Sequence, residues 1–153
     1  MKFEHKATLA APIDKVWAFL MDLTKVATCV PGVDTVEAIG DGKYRGTIKV
    51  AVGPIRLNLA GDVSITERDD TAKKASMRAD AADKRAGGAV KAVMSMAVSE
   101  TPGNPNSTEL ALETDAQVMG RIGEFGQPII RKKAEQTMNE FAKNLEKAIA
   151  ESK

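Results

Sequence analysis

The side chains able to move a proton or carry a covalent intermediate are few and scattered. The chain holds one histidine, one cysteine and one tyrosine: His5, Cys29 and Tyr44. With a single imidazole, histidine-based acid–base chemistry rests on His5, which has no acid placed to orient it and reads as a satisfied strand histidine. One cysteine excludes an internal disulfide and any cysteine-cluster metal site. Cys29, just before Val30-Pro31-Gly32, reads as a small buried residue rather than a nucleophile. Asp69-Asp70 and the pair Asp80/Asp83 read as turn or outer-face acids, not as paired catalytic carboxylates. Arg131-Lys132-Lys133 is a short basic cluster, most simply a solvated helix face, and otherwise a contact for an acidic partner or lipid headgroups. Gly40-Asp41-Gly42 is a hairpin turn rather than a phosphate cradle. No GxSxG, HExxH, Walker or GxGxxG pattern occurs. The expectation is no catalytic residue, no metal site and no cofactor.

These residues must be positioned by the elements that the hydrophobic periodicity lays out. Phe3, His5, Ala7 and Leu9 alternate with polar neighbours, the mark of a half-buried strand. Pro12 suits the first turn of a helix over about 12–21, with Ile13, Val16, Trp17 and Leu20 on one stripe. Asp22 can cap a second short helix over about 23–30, stopped by Pro31-Gly32. Strands follow over 33–39, from Tyr44 to Val52, and over 55–65, where strict period two makes the cleanest strand signal in the chain. Arg68-Asp69-Asp70 reads as a turn. A weaker strand over 74–82 and a strand over 90–99 precede a loop-like stretch, 101–107, and a last strand over 109–118. From about Arg121 the period becomes helical, with Ile122, Phe125, Ile129, Met138, Phe141, Leu145 and Ile149 near one stripe. Gly120, Gly123, Gly126 and Pro128 loosen its start, either as a gate or as a strand-to-helix corner.

One strand, two short helices, about six antiparallel strands and one long helix make an α+β helix-grip arrangement, a curved sheet around a C-terminal helix. A length of 153 residues fits one domain, 1–153. Lysine plus arginine number 22 against 21 acids, so bulk charge gives no support to nucleic-acid binding. The longest nearly apolar stretch, 92–98, is far short of the roughly 20 residues a spanning helix needs. The opening MKFEHKATLAAP is no secretory signal, and the expected location is cytoplasmic. Without a run that joins an apolar face to a dense basic one, membrane contact is expected to be transient at most, peripheral at the inner face.

The inward positions carry an unusual composition. Aromatic residues make up 4% of the chain, and the middle strands instead turn Ala75, Met77, Ala79, Ala81, Ala92, Met94 and Met96 inward. Small residues leave volume and methionines adapt to irregular shapes. The pattern points to a hydrophobic cavity between sheet and helix; the alternative is a closed core in which the helix sits closer.

Several motifs together resemble a known family. Cys29-Val30-Pro31-Gly32-Val33, Gly42-Lys43-Tyr44-Arg45, Val52-Gly53-Pro54-Ile55, Gly61 and Thr66-Glu67-Arg68-Asp69 resemble the carbon monoxide dehydrogenase G-subunit family. So do Glu113-Thr114-Asp115-Ala116-Gln117-Val118 and Gly120-Arg121-Ile122 with Gly126. The resemblance covers nearly the whole chain and implies a START-like (SRPBCC) fold. It also implies a non-catalytic accessory protein associated with a carbon monoxide dehydrogenase-type molybdenum hydroxylase, for recruitment, assembly or handling of a quinone-like electron acceptor. Many members carry a further C-terminal segment with a membrane anchor, which these residues lack, so stable anchoring is not expected. Met119 stands where the resemblance places a glycine, and is expected to narrow the cavity mouth.

The expected ligand is a hydrophobic small molecule, a quinone or a lipid. Its expected lining is Trp17, Leu20, Val50, Leu57, Leu59, Met77, Met94, Met96, Phe125 and Ile129, with Tyr44 as the polar contact. The rival readings are a polyketide cyclase-like enzyme working in the same cavity and a closed-core protein-interaction module.

Overall fold

A computed structural model describes residues 1–152; Lys153 and the side chain of Ile122, with its place in the expected helical stripe, lie outside the described residues. Strand β1, Lys2–Leu9, keeps the expected alternation, with Leu9 wholly buried at its end. Helix α1, Ile13–Leu20, buries Val16, Trp17, Phe19 and Leu20. Pro12 is its N-cap, in extended backbone, rather than a residue of its first turn. Helix α2, Leu23–Ala27, is shorter than 23–30. The amides of Thr28, Cys29 and Val30 reach back three residues instead of four, to Lys25, Val26 and Ala27, so the chain tightens and leaves the α-helix early. Asp22 occupies the cap position, but its carboxylate accepts from the Thr24 hydroxyl at 2.6 Å and not from a helix amide.

Six further strands complete one antiparallel sheet: β2 Val33–Gly40, β3 Lys43–Val52, β4 Ile55–Asp69, β5 Lys74–Asp83, β6 Gly88–Thr101 and β7 Asn104–Gly120. Their spatial order is β1-β7-β6-β5-β4-β3-β2, a meander whose last strand pairs with the first. Gly61 faces the Asp80 carbonyl so closely that a Cβ would stand 1.9 Å from its oxygen. A strand glycine of this kind marks a site where neighbouring backbone comes too near for a side chain. Two expectations need correcting. Arg68 and Asp69 belong to β4, and the turn falls on 70–73. The stretch 101–107 is not a loop, since only Pro102-Gly103 turns. Ser107 and Thr108 are buried there; the Thr108 hydroxyl donates to the Ala11 carbonyl at 2.7 Å, and the Thr101 and Ser107 hydroxyls pair at 2.8 Å. Their polarity, which imitates a loop in sequence, is consumed by hydrogen bonds inside.

The helical region is two pieces. A 3₁₀ turn, Arg121–Phe125, is separated by Gly126 (φ 82°) from α3, Gln127–Glu151. Leu145 and Ile149 are wholly buried, and Met138 and Phe141 pack beside them. Counting back from Ile149 by three or four residues reaches 145, 141, 138, 134 and 130. Ile130 therefore turns inward, while Ile129 is 47% exposed. Of the expected stripe, Phe125 lies across the Gly126 break, and Ile129 stands about two and a half turns before Met138 in the same helix, on its opposite face.

The core has two parts. The larger joins Leu9, Val16, Leu20, Leu110, Leu145 and Ile149 at one end of the sheet. The smaller joins Val52, Leu57 and Leu59 at the other, with Phe125 packed against it.

Candidate ligand-binding site

Between these cores α3 does not close on the sheet. The inward alanines of β5 and β6 reach only one carbon from the backbone, so the wall recedes and space remains. Two adjoining chambers result. The first, about 370 Å³, lies among the end of α1, α2, strands β2 to β7 and the middle of α3. The second, about 390 Å³, lies beneath the first half of α3, among β1, β3, β4, β6 and β7. Leu59, Met94, Leu112, Thr137 and Met138 border both and form the partition.

Eight of the eleven expected lining residues meet these spaces. Leu20, Tyr44, Met77 and Met96 line the first chamber, Val50 and Leu57 the second, and Leu59 and Met94 both. Trp17, Phe125 and Ile129 line neither. Trp17 is buried but turned to the β4–β5 turn, where its indole N–H donates to Asp70 at 2.9 Å and the Lys73 ammonium lies 5.9 Å from its ring. Phe125 sits on the smaller core, close to Gly53. Ile129 faces outward. Met119 is 38% exposed, on the face of β7 opposite Val118, so it does not narrow either chamber.

Sequence reasoning missed the polar side of the second chamber. His5, Thr114 and Thr137 line it, with Lys133 and Glu135 at its edge. His5 and Thr114 occupy inward positions of their strands, a signal present in the alternation. The Thr137 hydroxyl is committed to the Lys133 carbonyl at 2.9 Å. The first chamber takes Val26, Val30 and Phe141 from helical segments whose placement over the sheet is a tertiary fact.

The titratable groups hold the frame. Asp83 is buried rather than outer-face; it accepts from the amides of Asn58 at 2.7 Å, Arg85 at 2.9 Å and Ala86 at 3.0 Å. The Asn58 amide, foremost among these donors, holds its pKa below the usual carboxylate value. Asp69 accepts from the amides of Thr71 and Ala72, as a turn acid does. The Arg68 guanidinium, and after it the Trp17 indole, lower the pKa of Asp70. Burial pushes the Cys29 thiol up, the opposite of what a nucleophile needs. Arg131 is more than a solvated charge: its Nη1 donates to the Lys2 carbonyl at 3.0 Å and its guanidinium lies 5.1 Å from the centre of the Phe3 ring. Among the described residues no buried side-chain nitrogen or oxygen lacks a hydrogen-bond partner, and no helix is long and apolar enough to cross a membrane.

A search of curated proteins by sequence returned no match. Solved structures share the fold. A conserved protein from Geobacillus kaustophilus superposes with a TM-score of 0.88 at 22% identity, over 99% of this chain and 97% of that one. A START superfamily protein from Mycobacterium smegmatis gives 0.72 at 14%, over 98% and 97%. The Zhui aromatase/cyclase from Streptomyces sp. R1128 gives 0.69 at 18%, over 98% and 93%. At these identities the likeness establishes the START-like helix-grip fold. The model of the carbon monoxide dehydrogenase G-subunit (CoxG) family matches residues 6–150, and the chain belongs to that family.

Proposed function

We propose that the chain works as one non-catalytic domain, 1–153, that holds a quinone- or lipid-like molecule in the two chambers. It would serve a carbon monoxide dehydrogenase-type molybdenum hydroxylase in recruitment, assembly or electron-acceptor handling, in the cytoplasm or at the inner membrane face. The observation that carries this reading is the pair of adjoining chambers, about 370 and 390 Å³, with walls mostly of carbon. Each falls in the size range of small-molecule sites. Affinity would come from apolar burial at about 25 cal/mol per Å², with Tyr44 in one chamber and His5 in the other as polar contacts. Family membership supports the link to the hydroxylase.

The fold is shared with an aromatase/cyclase, so an enzyme is the natural rival. Against it, Tyr44 and His5 border different chambers and the Cys29 thiol is held protonated. Those two side chains therefore do not act together as acid and base on one substrate atom. Native mass spectrometry of protein purified from its own host, with lipid extraction, tests the binding reading, alongside thermal melts with ubiquinone and menaquinone analogues. The expected result is a co-purifying hydrophobic molecule and a ligand-induced rise in Tm. No such molecule and no shift across quinones and fatty acids would overturn it. Turnover of an aromatic polyketide with a bell-shaped pH profile would favour the enzyme.

A further inference from the structure

The near-neutral charge of the chain conceals a strong asymmetry. Three segments distant in sequence meet at one end of the molecule. The β3–β4 turn touches the 3₁₀ turn, where a Cβ on Gly53 would lie 3.7 Å from the Phe125 ring. The β5–β6 turn is tied to the same place by the Arg121 amide, which donates to the Gly87 carbonyl at 3.1 Å. The Asn58 amide donating to Asp83 joins the two hairpins. Residues 52–56, 84–88 and 119–133 contain seven basic side chains (Arg56, Lys84, Arg85, Arg121, Arg131, Lys132, Lys133) and one acid, Glu124. Asp83, beside the turn, is buried and spent on backbone amides. Six of the seven cations are exposed and Lys133 is half-buried. Against a chain total of +1, the rest of the molecule is net acidic.

The same end bears apolar groups that the core leaves out. Ile129 is 47% and Met119 38% exposed, and Pro54 and Pro128 are exposed beside them. Isolated apolar side chains set among cations match a lipid interface, where the chains enter the acyl boundary and the cations meet phosphates. An acidic protein surface would pair the charges but leave Ile129 and Met119 without a use. The second chamber lies directly behind this end: Val52, Leu57 and Val118 of its wall come from these strand ends, and Arg131 and Lys133 stand on its border.

We infer that this basic end is a docking surface for anionic phospholipid, and that docking presents the second chamber to the bilayer. The second clause rests on the proposed ligand-binding reading; the first does not. Because the charge is collected from two hairpin tips and a helix start, no single run of sequence displays it.

The test is co-sedimentation of the whole chain with quinone-free vesicles of phosphatidylcholine, with and without phosphatidylglycerol, across a salt series. Binding is expected only with phosphatidylglycerol, weakening as salt rises. Lys84→Glu and Lys132→Glu lie on separate elements, and each should weaken partitioning at least about fivefold, the factor for one lost cation near an anionic surface. Lys143→Glu with Lys147→Glu, at the far end of α3, should leave it unchanged. Ile129→Ser should reduce binding without altering its salt dependence. Circular dichroism melts of each variant confirm that it is folded. Absence of binding at low salt, equal loss from the far-end variant, or binding to polyglutamate but not to vesicles would overturn the inference. Loss of quinone-induced stabilisation with vesicle binding intact would count against the ligand reading alone.

Discussion

The indole of Trp17 and the carboxylate of Asp70, 53 residues apart, are joined by a 2.9 Å hydrogen bond that pins the β4–β5 turn onto α1. The bond explains why the chain's one tryptophan is buried yet borders neither chamber. Trp17→Phe keeps most of the buried area and removes the donor. It should lower Tm by a few degrees while leaving the affinity for a quinone analogue unchanged, as measured by melts with and without the analogue. A large loss of affinity with little change in Tm would put Trp17 in the site instead.

Ala79 and Ala75 lie on one face of β5 but meet different surroundings. Ala79 borders the first chamber, whereas Ala75 is sealed in the larger core. Ala79→Phe should fill empty space, abolish ligand-induced stabilisation and keep the fold. Ala75→Phe should overpack and cost about 1–3 kcal/mol or more. Urea titrations of the two variants check the contrast, and equal destabilisation by both would argue for a closed core.

Met138 stands in the partition between the chambers. Met138→Ala should merge them at a cost of about 2 kcal/mol, the low end for removing a methionine side chain that is only partly buried. The merged space should favour longer-tailed quinone analogues over short ones relative to wild type, read from ligand-induced Tm shifts along a chain-length series.

Asp83 should shape the acid limb of stability. Its folded pKa is depressed, by the Asn58 amide first and the Ala86 and Arg85 amides after it. A depressed carboxylate stabilises the fold above its unfolded pKa, about 3.9, and that contribution is lost as pH falls through the lower folded value. Asp83→Asn should therefore be less stable than wild type at neutral pH, and the two should converge in acid. Denaturant midpoints measured from about pH 7 down to about pH 3 test this across the carboxylate range; a gap that widens in acid would contradict it.

Alternation in the strands and the three- and four-residue spacing in the helices are enough to read the helix-grip order from residues alone. Side-chain periodicity is a local consequence of backbone geometry, and it survives without knowledge of neighbours. The inward alanines and methionines of β5 and β6 are legible for the same reason, and with them eight of the lining residues. What escapes is set by partners distant in sequence. Gly126 sets the 3₁₀ turn apart from the last helix, so Phe125 packs on the smaller core and not on the helical stripe. Asp70 draws Trp17 away from the cavity. Thr101 and Ser107 look like loop residues until their hydroxyls are seen to pair. The division into two chambers depends on where Met138 falls over Leu59 and Met94, and the basic end depends on two hairpin tips meeting a helix start. One sequence shows which way each side chain points from its own element; which element then stands opposite is decided by packing, and the ligand space and the charge asymmetry are both properties of that packing.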